Sequence, residues 1–273
     1  MARQVNVNFH QTFKPEAQYI SSILNVADGC SALCIKDISA LTGIPQGKSS
    51  GKVEPHISYA EYMGLIKSER KNGLVTLTKT KLGELVNCED PGIQEEITKL
   101  LCHAMLLRDE NGADMWAASF RKILPQYKGG IKKELLVIEL NQLFDGKVNT
   151  KNIAPFYGSY EDMFSNINVL EIDGELVKAM PTVYDKEFIF LYAYILWEYW
   201  DEKFQNHEEI SSNELEELKY GEIFGWDEQT EYVVLEHMSD KGLLRMNRQL
   251  MPYTLRRLVD KDTVLQRLYS ELC

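Results

Sequence analysis

Four short stretches of this 273-residue chain carry residue types that do chemistry in other settings. Gly43-Ile44-Pro45-Gln46-Gly47-Lys48-Ser49 has the glycines, lysine and hydroxyl of a phosphate-binding loop. That pattern requires four residues between its glycines, and here there are three. It also requires a preceding strand, and Ile35 to Leu41 reads as a helix, so a polar, basic connector is expected instead. Glu69-Arg70-Lys71 supplies the Glu-x-Lys half of a metal-dependent nuclease pattern. The acidic partner should lie upstream on a strand, whereas Glu54 and Glu61 fall on a predicted helix, so these residues read as a charged turn. Cys30 and Cys34 lack the further ligands that zinc takes and read as small, buried core residues. Cys102 and His103 are neighbours on a predicted helix, where adjacent side chains point about 100° apart, so they do not form a nucleophile–base pair with each other. His10 is expected to join Thr12 in a polar knot that holds the amino-terminal arm. No catalytic set converges, so no catalytic residue, metal or cofactor is expected and the chain is not read as an enzyme.

A different chemistry, attraction to a polyanion, is open to Lys48, Lys52, His56, Ser58, Tyr62, Lys67, Arg70 and Lys71. These residues surround a predicted helix, Glu54 to Met63, and the hairpin behind it. Such a helix enters the major groove of duplex DNA while the hairpin touches the backbone or minor groove. Glu54 and Glu61 on the same outer face would repel phosphate, and modules of this type also dock proteins. The DNA interpretation therefore depends on the cations of the hairpin being free. If internal acids already hold them, docking is the better account.

The elements that position these residues follow from local patterns. Asn72-Gly73 between two short apolar-polar runs, Leu65–Glu69 and Leu74–Leu77, is a strong hairpin signal, because both residues tolerate the positive φ of a two-residue turn. Asp173-Gly174 and Asn247-Arg248 mark two more hairpins, each preceded by a helical segment. Asp185 to Phe204 carries aromatic residues on nearly every side and reads as a central, buried helix. Thr78 is the expected cap of the helix after the first hairpin, and Thr254 to Leu272 is expected to close the chain as one helix. The expected fold is mainly α with small β-hairpins, as tandem winged-helix-like modules around a helical core. The expected domains are an amino-terminal winged helix over 1–90, a helical middle domain with a winged-helix-like hairpin over 91–182, and a carboxy-terminal winged-helix-like domain over 183–273.

Composition sets outer bounds. Hydrophobic residues make up 44% of the chain, enough for real cores, which argues against disorder. The net charge of −11 argues against a protein coated by nucleic acid. The charge is uneven: residues 1–90 sum to +1, 91–190 to −4 and 191–273 to −8. Five scattered cysteines fit reduced thiols better than a disulfide framework. No long apolar run or basic-then-apolar leader is seen, so a soluble, cytoplasmic protein with no membrane partner is expected.

Phe9-His10-Gln11-Thr12-Phe13 resembles the Gly-His-Glu-Thr-Phe opening of the bacterial domain-of-unknown-function family DUF-4007. Leu77-Thr78 with Leu82-Gly83, Asp90-Pro91, Leu100-Leu101-Cys102-His103, and then Trp116 and Phe120 are similar to further family motifs, in the same order. Phe9 stands where the family has Gly, and Lys99 where it has Trp. The resemblance covers about residues 9–125. It implies a DNA-binding or accessory part of an anti-phage system, because that family is often encoded beside DNA-phosphorothioation or sulfur-transfer genes. The expected function is a non-catalytic, DNA-binding accessory or regulatory protein, with double-stranded DNA and other defence proteins as partners and homo-oligomerisation left open. The alternative is a scaffold that docks a partner enzyme through its acidic carboxy-terminal half.

Overall fold

The structure is a computed structural model that describes residues 5–47, 51–249 and 251–272. The chain divides into two compact units, Met1–Lys178 and Ala179–Cys273. The boundary expected at 90/91 lies inside the first unit, and the one expected at 182/183 lies close to the observed division.

The first unit opens with helix α1 (Ala17–Val26), strand β1 (Asp28–Leu33), and helices α2 (Ile35–Thr42) and α3 (Val53–Tyr62). A hairpin of β2 (Ile66–Lys71) and β3 (Leu74–Lys79) follows, then α4 (Lys81–Glu89) and α5 (Glu96–Leu106). The turn is the expected one: Asn72 has φ 52° and Gly73 φ 77°, and Lys71 pairs with Leu74. The three strands lie in the order β1-β3-β2, all antiparallel. The cap of α4 is Thr80, two residues after the expected Thr78. Its hydroxyl accepts from Gly83 N–H at 3.0 Å and donates to the Gly64 carbonyl at 2.7 Å.

The same connectivity recurs later in this unit. Helix α6 (Asp114–Ala118) runs into a π-helical turn and a 3₁₀ turn, then come β4 (Ile131–Lys132), α7 (Lys133–Leu143), α8 (Ala154–Glu161) and the hairpin β5 (Leu170–Asp173)–β6 (Leu176–Ala179). The sheet order is β4-β6-β5. The amino-terminal arm stitches the two parts together. Asn6 N–H donates to Asp114 Oδ2 at 2.9 Å, Asn152 Nδ2 donates to Asn8 Oδ1 at 2.7 Å, and Lys14 pairs with Asp162 at 2.8 Å. Phe9 packs its ring against Tyr59, Tyr62 and Trp116, with centroids 4.6–5.7 Å apart. These contacts place the expected 90/91 boundary inside one core.

The second unit repeats the pattern around the aromatic helix α9 (Ile189–Lys203), which is buried on every side from Ile189 to Trp197. Then follow β7 (Glu209–Ser211), α10 (Ser212–Leu218), α11 (Tyr220–Phe224), α12 (Glu228–Asp240), β8 (Leu244–Asn247), β9 (Thr254–Arg257) and α13 (Lys261–Gln266). Sheet order is β7-β9-β8. The expected long helix from Thr254 is a correction: its first four residues are the central strand of the sheet, with Leu255 opposite both Ile210 and Met246. Helix begins only at Lys261, where Asp260 accepts from Thr263 N–H at 2.9 Å. No helix among the described residues is long and apolar enough to cross a membrane.

Candidate nucleic-acid interface

The residues expected to face DNA are not a single open surface. Lys48 lies outside the described residues. His56 is corrected outright: it was expected on the outer face of the helix and is fully buried. Residues 13–19 cover that part of α3. The Lys52 carbonyl accepts from His56 Nδ1 at 2.6 Å, and the Glu16 N–H donates to Nε2 at 3.2 Å. A carbonyl only accepts and an amide N–H only donates, so this imidazole is neutral with its proton on Nδ1. Burial accordingly pulls its pKa below the usual histidine value. Lys52 reaches back to Glu16 at 2.6 Å and lies over the Tyr19 ring at 5.2 Å, and its hydrogen bond to Glu16 raises its pKa.

The hairpin is likewise tied to α3. Arg70 Nη2 bonds Glu54 at 2.6 Å, and Nη1 bonds Ser68 Oγ at 2.6 Å and lies 3.9 Å from Glu61. Glu61 also accepts the Ser68 N–H at 2.8 Å. That bond blocks the open edge of β2, which would otherwise invite strand pairing. The two acids that looked hostile to phosphate thus share the arginine expected to bind it, and the three together keep a net negative charge. Tyr62 is half-buried against Phe9, at 4.6 Å between ring centroids, and Ser58 is also half-buried. Lys67 and Lys71 remain: both are exposed on the solvent face of β2, with Glu69 between them, and neither has an ion partner among the described residues. Of the seven candidates among the described residues, the structure leaves these two as open cations.

The third hairpin repeats the device. Arg248 bonds Glu236 of α12 at 2.8 Å and stacks over Tyr232 at 4.9 Å. Lysine also serves structure elsewhere: Lys79 Nζ donates to the Leu24 and Ala27 carbonyls at the end of α1, at 3.0 and 2.8 Å.

The remaining motifs settle into structural roles. Gly43 ends α2 in the left-handed conformation, and a helix precedes it as expected. Cys30 is exposed and Cys34 half-buried, which corrects their expected place in the core, and Cys88 is exposed as well. Cys102 is buried, and burial pushes its thiol up to about 12. His103 Nδ1 is 2.9 Å from the Tyr160 hydroxyl. His10 donates from Nε2 to the Val7 carbonyl at 3.0 Å rather than joining Thr12, which is exposed. Burial lowers its pKa to about 4. Among the described residues no group of three or more His, Cys, Asp or Glu side chains is placed to hold a metal ion.

One feature of the second unit was not read from the sequence. An open cleft of about 820 Å³ lies beside β9, lined by Asp201, His207, Glu208, Arg257 and Asp260 among others. Its two rims are pinned by indole N–H groups of α9: Trp200 donates to the His207 carbonyl and Trp197 to the Val259 carbonyl, each at 2.8 Å. The Arg257 guanidinium stacks over Trp200 at 4.3 Å and bonds Asp201 at 2.5 Å. These residues come from three separate segments, and only the fold brings them together.

Two solved structures share this fold. A crystal structure of SspB superposes with a TM-score of 0.75, and a magnesium-ion-bound crystal structure of SspB with 0.73. Each is 17% identical in sequence, and the match covers 97% of this chain and 88% of the other. No protein-family model matches the chain, and no curated protein does.

Proposed function

We propose that this chain is an accessory component of a bacterial anti-phage system of the DNA-phosphorothioation type, and that it works there chiefly by docking a protein partner. The setting is supported by the resemblance of residues 9–125 to DUF-4007, and the fold shared with SspB across nearly the whole chain is consistent with it. Each of the three sheet-bearing segments, two in the first unit and one in the second, runs helix, strand, two or three helices, hairpin, and is read as a winged-helix-like module, a type that serves both DNA and protein partners.

The observation that carries docking is the internal engagement of the cations around α3. Arg70 and Lys52 are held by Glu54, Glu61 and Glu16, and His56 is buried. A helix face whose one arginine is shared between two glutamates has little to offer phosphate. The second unit, with 19 acids against 10 bases, suits a basic partner surface. A second interpretation, duplex contact through the hairpin alone, is favoured by the exposure of Lys67 and Lys71.

One experiment separates them. The full chain and its Lys67→Glu/Lys71→Glu double variant are co-expressed with the proteins encoded beside it, and both are titrated with a short duplex at several salt concentrations. Docking expects a stoichiometric complex that survives the double change, and absence of any complex removes it. The hairpin interpretation expects duplex affinity that falls steeply with salt and collapses in the variant, since phosphate contacts release counterions. Absent or salt-independent binding removes that one.

A further inference from the structure

Helix α7 is apolar on two faces. Leu136 and Leu140 are buried in the core, as one face of a surface helix should be. The other side is not polar. Leu135, Ile138, Glu139, Gln142 and Leu143 fall at the i, i+3, i+4, i+7 and i+8 positions of a second stripe. Its three apolar members, Leu135, Ile138 and Leu143, are 37%, 53% and 47% exposed. Leu176 is exposed as well, on β6 directly opposite Lys132 at the start of the helix. In the second unit α10 likewise follows the first strand of its sheet, and it turns Asn213, Glu216 and Glu217 outward. The connectivity alone therefore does not demand an apolar outer face.

We propose that this stripe is an interface between two copies of the chain, paired antiparallel along α7. The charges around it fit the same stripe turned end for end. Lys132 and Glu134 lie at the amino end and Asp145 and Lys147 just past the carboxy end, all exposed and none with an ion partner among the described residues. A two-fold axis near residue 139 sets Leu135 opposite Leu143 of the other copy, Lys132 opposite Asp145, and Glu134 within reach of Lys147, each pair formed twice. Glu139, which would meet its own copy at the axis, is drawn aside by the Tyr127 hydroxyl, which donates to its Oε1 at 2.8 Å. Lys132 sits at the wrong end of its own helix dipole, and in this pairing it faces the free carbonyls that end the other α7. Eleven residues of helix are a small contact, so the dimer belongs to the weak, concentration-dependent class. It makes the chain bivalent toward any other partner.

Sedimentation velocity of the full chain from about 1 to 200 μM, the span in which small interfaces associate, tests this. The parent shows a monomer–dimer equilibrium. Ile138→Glu, a change at an exposed position that leaves the core alone, stays monomeric throughout. Glu134→Lys and Lys147→Glu each set two like-charge pairs across the axis and weaken the dimer by roughly tenfold. An equimolar mixture of these two variants associates as the parent does, because each supplies the charge that the other lacks. A monomeric parent, a dimer indifferent to Ile138→Glu, or a mixture no tighter than its components overturns the proposal. So does a monomeric parent whose co-expressed partner is lost in Ile138→Glu, a result that assigns the stripe to that partner.

Discussion

Gly83 shows how one residue can be dictated by a contact far from any ligand. It sits in the first turn of α4, where α4 crosses the end of α3, and a Cβ there would lie 1.9 Å from the Leu65 carbonyl oxygen. Backbone cannot step aside as a flexible side chain can, so Gly83→Ala should cost about 3 kcal/mol, the upper part of the range for overpacking. Thr80→Ala, which loses the cap of α4 and the bond to the Gly64 carbonyl, should cost about 1–2 kcal/mol. Urea unfolding midpoints measure both, and equal costs would remove the steric account. Leu82-Gly83 belongs to the resemblance in the sequence, and its physical reason is visible only in three dimensions. His56 is the converse case. Helical spacing put it on an outer face, and no local pattern announces that residues 13–19 lie over that face.

At the scale of elements, the Phe9–Phe13 arm acts as a strap. Phe9 fills a ring of aromatic side chains, and the Tyr59 hydroxyl donates to the Phe13 carbonyl at 3.0 Å from inside the core. Phe9→Ala empties that position and should cost about 3–5 kcal/mol, while Tyr59→Phe should cost about 1 kcal/mol plus whatever the orphaned carbonyl adds. Thermal unfolding of both variants checks the pair, and a Phe9→Ala protein as stable as its parent would mean that the arm is not part of the core. The hairpins were legible because their two strands adjoin and the turn residues are distinctive. The third strand of each sheet was not. β1, β4 and β7 are short, carry few apolar residues, and pair with strands about 45 residues or more away in sequence, so their periodicity holds no signal. Thr254–Arg257 misled for a related reason: four residues of a central strand run on after a short loop into a genuine helix, and no glycine or proline marks the break between them.

At the scale of the molecule, the first unit holds buried histidines and the second a half-buried glutamate, and this predicts opposite responses to acid. In the first unit His10 is fully buried with its pKa near 4, against 6.5 for a free imidazole, and burial shifts His56 in the same direction. A depressed histidine pKa means that the unfolded chain binds more protons than the folded one. Stability is then complete above about pH 6.5 and is lost as pH falls toward 4, at about 1.4 kcal/mol per pH unit for His10. In the second unit Glu231 is shifted upward to about 7, so the folded form binds the extra proton. Its share of stability grows as pH falls from 7 to 4.5, at a similar slope. The carboxylates of Glu214, Asp227, Asp260 and Glu271 are shifted downward by hydrogen bonds, so their contribution is lost only at more acid pH. Native-state hydrogen exchange between pH 5 and 7 should therefore show protection falling on acidification among the slowest amides of 5–178, and rising or holding among those of 179–272. Parallel slopes in the two sets would mean that His10 or Glu231 titrates in the folded protein as it does in the unfolded chain, and imidazole and carboxyl NMR titrations would show which.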